Sequence, residues 1–283
     1  MKLRATVRFL TVAACLLAGG APSARAHGEL HDLIDQMSRE IARHPRDPDL
    51  YLKRAELHRA HLGWDAAMAD IERAAALTNQ WPQLHLARAM LYLDTQWFES
   101  AVEAATRYLK HEPTNGLALI TRARARVKLG QNLDAAEDYT HAIRNAASQG
   151  PELYVERAQA LGAAGGSHVD EAIRGLDDGL RNIGPIVTLH LAAIDLEIKA
   201  NRFDAALDRV DKAMAQAPRK EVWLNRRGDI LRQAGRNQEA AAAYSAALKS
   251  LETLPAARRA VPAMAELEAR IRKSLAEVGT PPR

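Results

Sequence analysis

The segment PDLYLKRAELHRAHLGWDAAMADIERAAAL, residues 48–77, decides the fold. Tyr51, Ala55 and His58 fall at i, i+4 and i+7, one face of a helix. Gly63 then breaks that helix, and a second stripe follows at Ala67, Ile71, Ala74 and Ala75. Ala55, Ala67 and Ala74 are small enough for two helix backbones to approach closely. Tyr51, Ile71 and Leu77 fill the volume around them. One hairpin of this kind leaves an apolar face uncovered and needs neighbours to bury it.

Those neighbours are present in the chain. Ala55, Ala89 and Ala123 stand 34 residues apart, and the series continues with small slips through Ala158, Ile194 and Gly228. A second ladder runs Ala67, Ala101, Ala135, Ala172, Ala206 and Ala240, and a third Ala74, Tyr108, Ala142, Gly179, Ala213 and Ala247. Small residues at fixed offsets place the same close helix–helix contact in every unit. The expected fold is an all-α, right-handed α-solenoid of six helix-turn-helix repeats over 47–253. The units fall at about 48–81, 82–115, 116–149, 151–186, 187–220 and 221–254. Leu30, Leu33, Ile34, Met37 and Ile41 mark an N-terminal helix over 27–46. Met264, Leu267, Ile271 and Leu275 mark a capping helix over 255–278, before a frayed tail at 279–283.

The first 26 residues read as a secretory signal peptide. Lys2, Arg4 and Arg8 precede an apolar run from Phe9 to Gly20, too short to span a bilayer, and Ala24-Arg25-Ala26 is a small-x-small cleavage site. A competing reading takes Val12-Ala13-Ala14-Cys15 as a lipobox with Cys15 as the lipidated residue. Cleavage after Ala26 removes four basic residues and no acid, leaving 35 basic against 35 acidic side chains. No net field then draws in nucleic acid or anionic lipid. Cleavage also removes the lone cysteine, which suits an oxidising compartment such as the periplasm. No transmembrane segment is expected after cleavage.

The pattern of a bulky residue, a small residue and Tyr in the first helix, then Ala, an aromatic, Ala and Pro in the second, resembles the tetratricopeptide repeat. It recurs in phase from about Pro48 to Ser250. The chain departs from that pattern where the Leu of the Leu-Gly pair is replaced by Arg54, Arg88, Arg122, Arg157 and Arg227. The fourth unit carries extra residues around Gly165-Gly166-Ser167-His168. The resemblance implies a non-catalytic scaffold that holds a protein or peptide of the cell envelope in a concave groove lined by the first helix of each unit. Carried onto this chain, the groove positions are Lys53, Glu56, Gln83, Ala87, Met90, Arg124, Lys128, Glu152, Glu156, Gln159, Asp195, Lys199, Arg226, Asp229 and Gln233. Arg124 and Lys128 form a basic spot beside an acidic one at Glu152 and Glu156. The Lys/Asn carboxylate clamp of chaperone-binding relatives is not reproduced.

Sites for chemistry are few. The chain has no phosphate loop, nucleophile elbow or paired-cysteine motif, and no cofactor is implied. The arginine ladder reads chiefly as structural pairing, because Asp70 and Asp138 lie 16 residues after Arg54 and Arg122. Arg88, Arg157 and Arg227 have Ala104, Gly175 and Ala243 at that offset. A second functional reading is metal handling. A mature N-terminal His27 would offer its amine and imidazole together, with His31 four residues on, to Cu(II) or Zn(II). His58 and His61 sit one turn apart, with His58 at a core position.

Overall fold

The computed structural model describes residues 23–78, 81–145 and 150–279. The leader's basic start and apolar run, Cys15, the side chain of His27 and residues 280–283 of the expected tail lie outside the described residues. Among the described residues the chain is all-α, with fifteen helices, one 3-10 turn and no strand. None of these helices is long and apolar enough to cross a membrane.

The chain divides into two compact units, one ending at Gln80 and the other starting at Trp81. The first holds α1 (Ser23–Arg43), α2 (Pro48–Ala60) and α3 (Trp64–Leu77). The second holds five hairpins: α4 (Pro82–Asp94) with α5 (Phe98–Leu109), α6 (Gly116–Lys128) with α7 (Asn132–Asn145), α8 (Pro151–Ala164) with α9 (Val169–Ile183), α10 (Val187–Lys199) with α11 (Phe203–Gln216), and α12 (Glu221–Gln233) with α13 (Asn237–Glu252). The segment expected as one capping helix is a short α14 (Ala256–Arg259) followed by α15 (Pro262–Gly279). Leu267 and Ile271 of α15 bury into the same core as Tyr244 and Leu251.

The start of each hairpin is set locally. Pro48, Pro82 and Pro151 occupy the first helical turn of α2, α4 and α8, where their missing N–H removes no helix bond. Asn115 caps α6 by accepting from the Ala118 N–H at 3.0 Å. Ala67, Ala101, Ala135, Ala172, Ala206 and Ala240 are all fully buried, so every second helix meets its partner on a methyl group. At Gly228 of the first ladder the helices leave no room for a side chain. A Cβ there would lie 2.5 Å from the buried Tyr244 ring.

The turn inside the hairpin repeats as strictly as the core. Leu62, Gln96 and Gly130 have φ of 61°, 64° and 74°, and Asn201 and Gly235 have 57° and 74°. These pairs are one 34-residue period apart. At each turn the next N–H closes onto the carbonyl five residues back, as in Gly63 to His58 at 2.8 Å and Trp97 to Tyr92 at 2.8 Å. This is the Schellman ending of a helix, which needs one left-handed residue. The expected break at Gly63 is therefore displaced by one residue. Leu62 takes the left-handed conformation, and Gly63 has φ of −85°. The fourth unit escapes the rule. Its extra residues form a 3-10 turn, Gly166–His168, entered through Gly165 at φ 126°.

A left-handed non-glycine residue costs about 1 kcal/mol. Gln96→Gly is therefore expected to raise the unfolding free energy by about 0.5–1 kcal/mol, and Gly130→Ala, in open space, to lower it by about 1. Urea denaturation of the two variants beside the parent checks both signs.

Candidate functional site

The expected groove residues lie on the first helices of the hairpins at helical spacing. Lys53 and Glu56 are exposed on α2 in the first unit, and Lys53 pairs with Asp49 at 2.7 Å on its own helix. In the second unit Gln83, Ala87 and Met90 lie on α4, Arg124 and Lys128 on α6, and Glu152, Glu156 and Gln159 on α8. Asp195 and Lys199 follow on α10, then Arg226, Asp229 and Gln233 on α12. Steps of three and four keep each set on one face of its helix.

The structure brings several of these residues onto one another. Arg124 donates twice to Glu156, from Nε at 3.0 Å and Nη2 at 2.8 Å, binding α6 to α8. Burial pushes the Glu156 carboxyl up, but hydrogen bonds from Arg124 and the Tyr139 hydroxyl outweigh it and hold the group below its ordinary value. Burial and the same carboxylate push the Tyr139 hydroxyl up. Arg226 pairs with Asp195, binding α10 to α12. Asp229 accepts from the Tyr244 hydroxyl at 2.8 Å and from Asn225 Nδ2 at 3.1 Å. Burial and this bond push the Tyr244 hydroxyl up to about 12. The basic and acidic spots of the sequence are thus partly one bidentate bridge between neighbouring hairpins. Lys128, Glu152, Gln159, Lys199 and Gln233 stay exposed. Leu117, Val127, Val187 and Val222, at the ends of the same first helices, are 37–53% exposed.

The arginine ladder is built differently and points inward. In the first unit Arg54 donates to Asp70 from Nε at 2.8 Å and Nη2 at 2.6 Å, and its Nη1 reaches Ser38 Oγ of α1 at 2.9 Å. In the second, Arg122 repeats this arrangement on Asp138, at 2.9 and 2.6 Å, with Nη1 on Thr106 Oγ1 of α5 at 3.1 Å. Arg126 adds a second cation to Asp138 at 2.7 Å. Each arginine fastens the preceding second helix, its own first helix and its own second helix together.

Arg157 and Arg227 keep part of the pattern with other acids. Arg157 binds Thr140 at 2.6 Å and Glu171 at 2.6 Å, and a Cβ on Gly175 would lie 2.2 Å from its Nη1. Arg227 takes Asp211 of the preceding helix at 2.7 Å. Clefts of about 330 and 430 Å³ open beside Arg157 and Arg122, lined by charged groups of both signs. Sequence reasoning missed Ser38, Thr106, Thr140 and Asp211. They stand 16 or 17 residues before the ladder arginines, and that offset was their only signal. It also missed the buried Glu197, which receives Arg209 Nε at 3.2 Å.

Of the expected metal pair, His31 is exposed on α1, and its ring meets that of His61. His58 turns to Asp70, 3.8 Å away, and burial holds its pKa down. Among the described residues no set of three or more His, Cys, Asp or Glu gathers as a closed metal site would require.

Residues 176–264 match the model of a tetratricopeptide repeat-like domain. The chain has the tetratricopeptide-repeat fold. Its fold is similar to that of a tetratricopeptide-repeat protein from Cytophaga hutchinsonii, at 14% identity and a TM-score of 0.64, over 84% of this chain and 96% of that one. A repeat protein from Parabacteroides merdae matches with 15% identity and a TM-score of 0.53, covering 91% and 95%. YrrB, described as a tetratricopeptide-repeat protein with an unusual peptide-binding site, matches with 18% identity and a TM-score of 0.53, covering 66% and 95%. Among curated proteins none matches in sequence.

Two depths of ion pair predict two magnitudes. Asp138 is buried and bound by two arginines, so Asp138→Ala strands both and should cost about 3–5 kcal/mol. Glu171 is 45% exposed, so Glu171→Ala should cost less than about 1. Chemical denaturation separates the two, and equal losses would refute the distinction.

Proposed function

We propose that this protein is a non-catalytic periplasmic adaptor that holds a peptide segment of a cell-envelope protein against the first-helix face of its second compact unit. The carrying observation is the composition of that face. Arg124 with Glu156 and Arg226 with Asp195 neutralise each other between neighbouring hairpins. The groups left for a partner are exposed apolar side chains at Leu117, Val127, Val187 and Val222, with Lys128, Glu152, Gln159, Lys199 and Gln233 on the same helices. Exposed apolar area rimmed by polar groups is the composition of a protein-binding surface. Hairpins locked to one another by bridges offer it preorganised, which lowers the ordering cost of binding. The peptide-binding site named for YrrB supports the same class of ligand. Periplasmic location is supported by the basic start, short apolar run and Ala24-Arg25-Ala26 of the leader.

The test places a photo-crosslinking residue at Val222 on α12 or at the exposed Lys212 on α11, in the full precursor expressed in intact cells. The reading expects a discrete adduct from the periplasmic fraction at 222 and none at 212. Absence of adducts at 222, or the same adducts at both positions, overturns it. Arg124→Glu is a poor probe of this face, because it breaks the bridge to Glu156 whether or not a partner binds.

A further inference from the structure

The cleft of about 430 Å³ beside Arg122 lies between α5, α6 and α7, on the side of α6 turned away from the proposed adaptor face. Leu119, Arg122 and Arg126 line it at helical steps of three and four. They stand two residues, about 200° of helix, from Leu117, Arg124 and Lys128 of that face. One wall is apolar, made by Leu109, Pro113 and Leu119. The other carries Lys110, Arg122 and Arg126 against the carboxylates of Glu137 and Asp138. One positive charge is in excess there, with His141 neutral.

The cationic side has unused donors. Arg122 commits its whole fork, to Asp138 and to Thr106 Oγ1. Arg126 engages only Nη1, with Asp138 at 2.7 Å and the Asp134 carbonyl at 3.2 Å. Its Nε is buried with no hydrogen-bond partner. Among the described residues neither Arg126 Nη2 nor Lys110 Nζ makes a hydrogen bond or ion pair. A half-buried cation with donors left unmet favours an anionic ligand.

We propose that this cleft binds a small monocarboxylate with a short apolar body. Arg126 and Lys110 take the carboxylate, and the body lies on Leu109, Pro113 and Leu119. A single excess charge suits a monoanion, and a guanidinium matches a planar carboxylate. The volume and the mixed lining are those of a small-molecule site. The next unit supplies a contrast. There Arg157, Arg174 and Arg181 share a cleft of about 330 Å³ with Glu171, Asp177 and Asp178, and no apolar side chain lines it. That cleft is balanced in charge and offers no seat for an apolar body, so recognition belongs to the cleft beside Arg122.

The test is a ligand-observed NMR titration of the full chain with hexanoate, the neutral hexanamide and the short acetate. N-acetylleucine serves as the probe for the end of a polypeptide. Hexanoate or N-acetylleucine should bind one-to-one, with hexanamide and acetate at least about tenfold weaker. Whichever acid binds more tightly identifies a free acid or a chain terminus as the source. Lys110→Glu should weaken binding at least about tenfold. Lys212→Glu, exposed on α11 and equal in charge change, should leave it unchanged. Since Lys110 is exposed, its variant should keep the parental melting curve, which separates lost binding from lost folding. Equal binding of hexanoate and hexanamide, no binding of either acid, or an equal loss in Lys212→Glu overturns the proposal.

Discussion

The structure depends on a guanidinium placed where a leucine would ordinarily fill the repeat. In a stack of identical hairpins each unit touches only its neighbours, so stability is set interface by interface. Arg122 ties three helices at once: Thr106 on the preceding hairpin, its own helix, and the nearly inaccessible Asp138 on its partner. Arg54 builds the same arrangement on Ser38 and Asp70. The bidentate fork fixes angle as well as distance, which an apolar contact does not do. The small-residue ladders make this possible, because only methyl and hydrogen contacts let the helices come close enough for one side chain to reach across.

A second layer of charge works between first helices. Arg124 to Glu156 and Arg226 to Asp195 bind hairpins across the face that the repeat leaves open. Salt bridges at such half-exposed positions contribute little individually. In the proposed function their consequence is larger: they remove charge that a partner on this face would otherwise meet. What remains on that face is the apolar ends of the first helices and the amides of Gln159 and Gln233, together with the charges of Lys128, Glu152 and Lys199. A third layer runs along the turns, where Arg202 meets Asp170 and Arg236 meets Asp204, each pair 32 residues apart.

Much of this was legible in the sequence, for a physical reason. A close helix contact tolerates only Ala, Gly or an occasional shape-matched residue, so the ladders from Ala55, Ala67 and Ala74 display the hairpin plan directly. The pairs Arg54–Asp70 and Arg122–Asp138 were readable because one offset serves both. The partners behind each arginine were not readable, because serine, threonine and aspartate at Ser38, Thr106 and Asp211 share a role and no single identity. Arg157 found Glu171 rather than the empty Gly175 position, one helical turn away from where the offset pointed. Gly63 drew the turn to itself, although the positive φ falls on Leu62, a residue type that rarely adopts it. The Arg124–Glu156 bridge was hidden in two apparent patches, since only the stacking of hairpins places residues 32 apart in contact.

Hydrogen exchange in an Arg122→Ala variant tests the central claim most directly. If the guanidinium fastens three helices, amide protection should fall together in α5, α6 and α7, with the far hairpin α12–α13 unchanged. Loss confined to α6, with α5 and α7 as protected as in the parent, would contradict the account and leave the small-residue contacts to hold the stack alone.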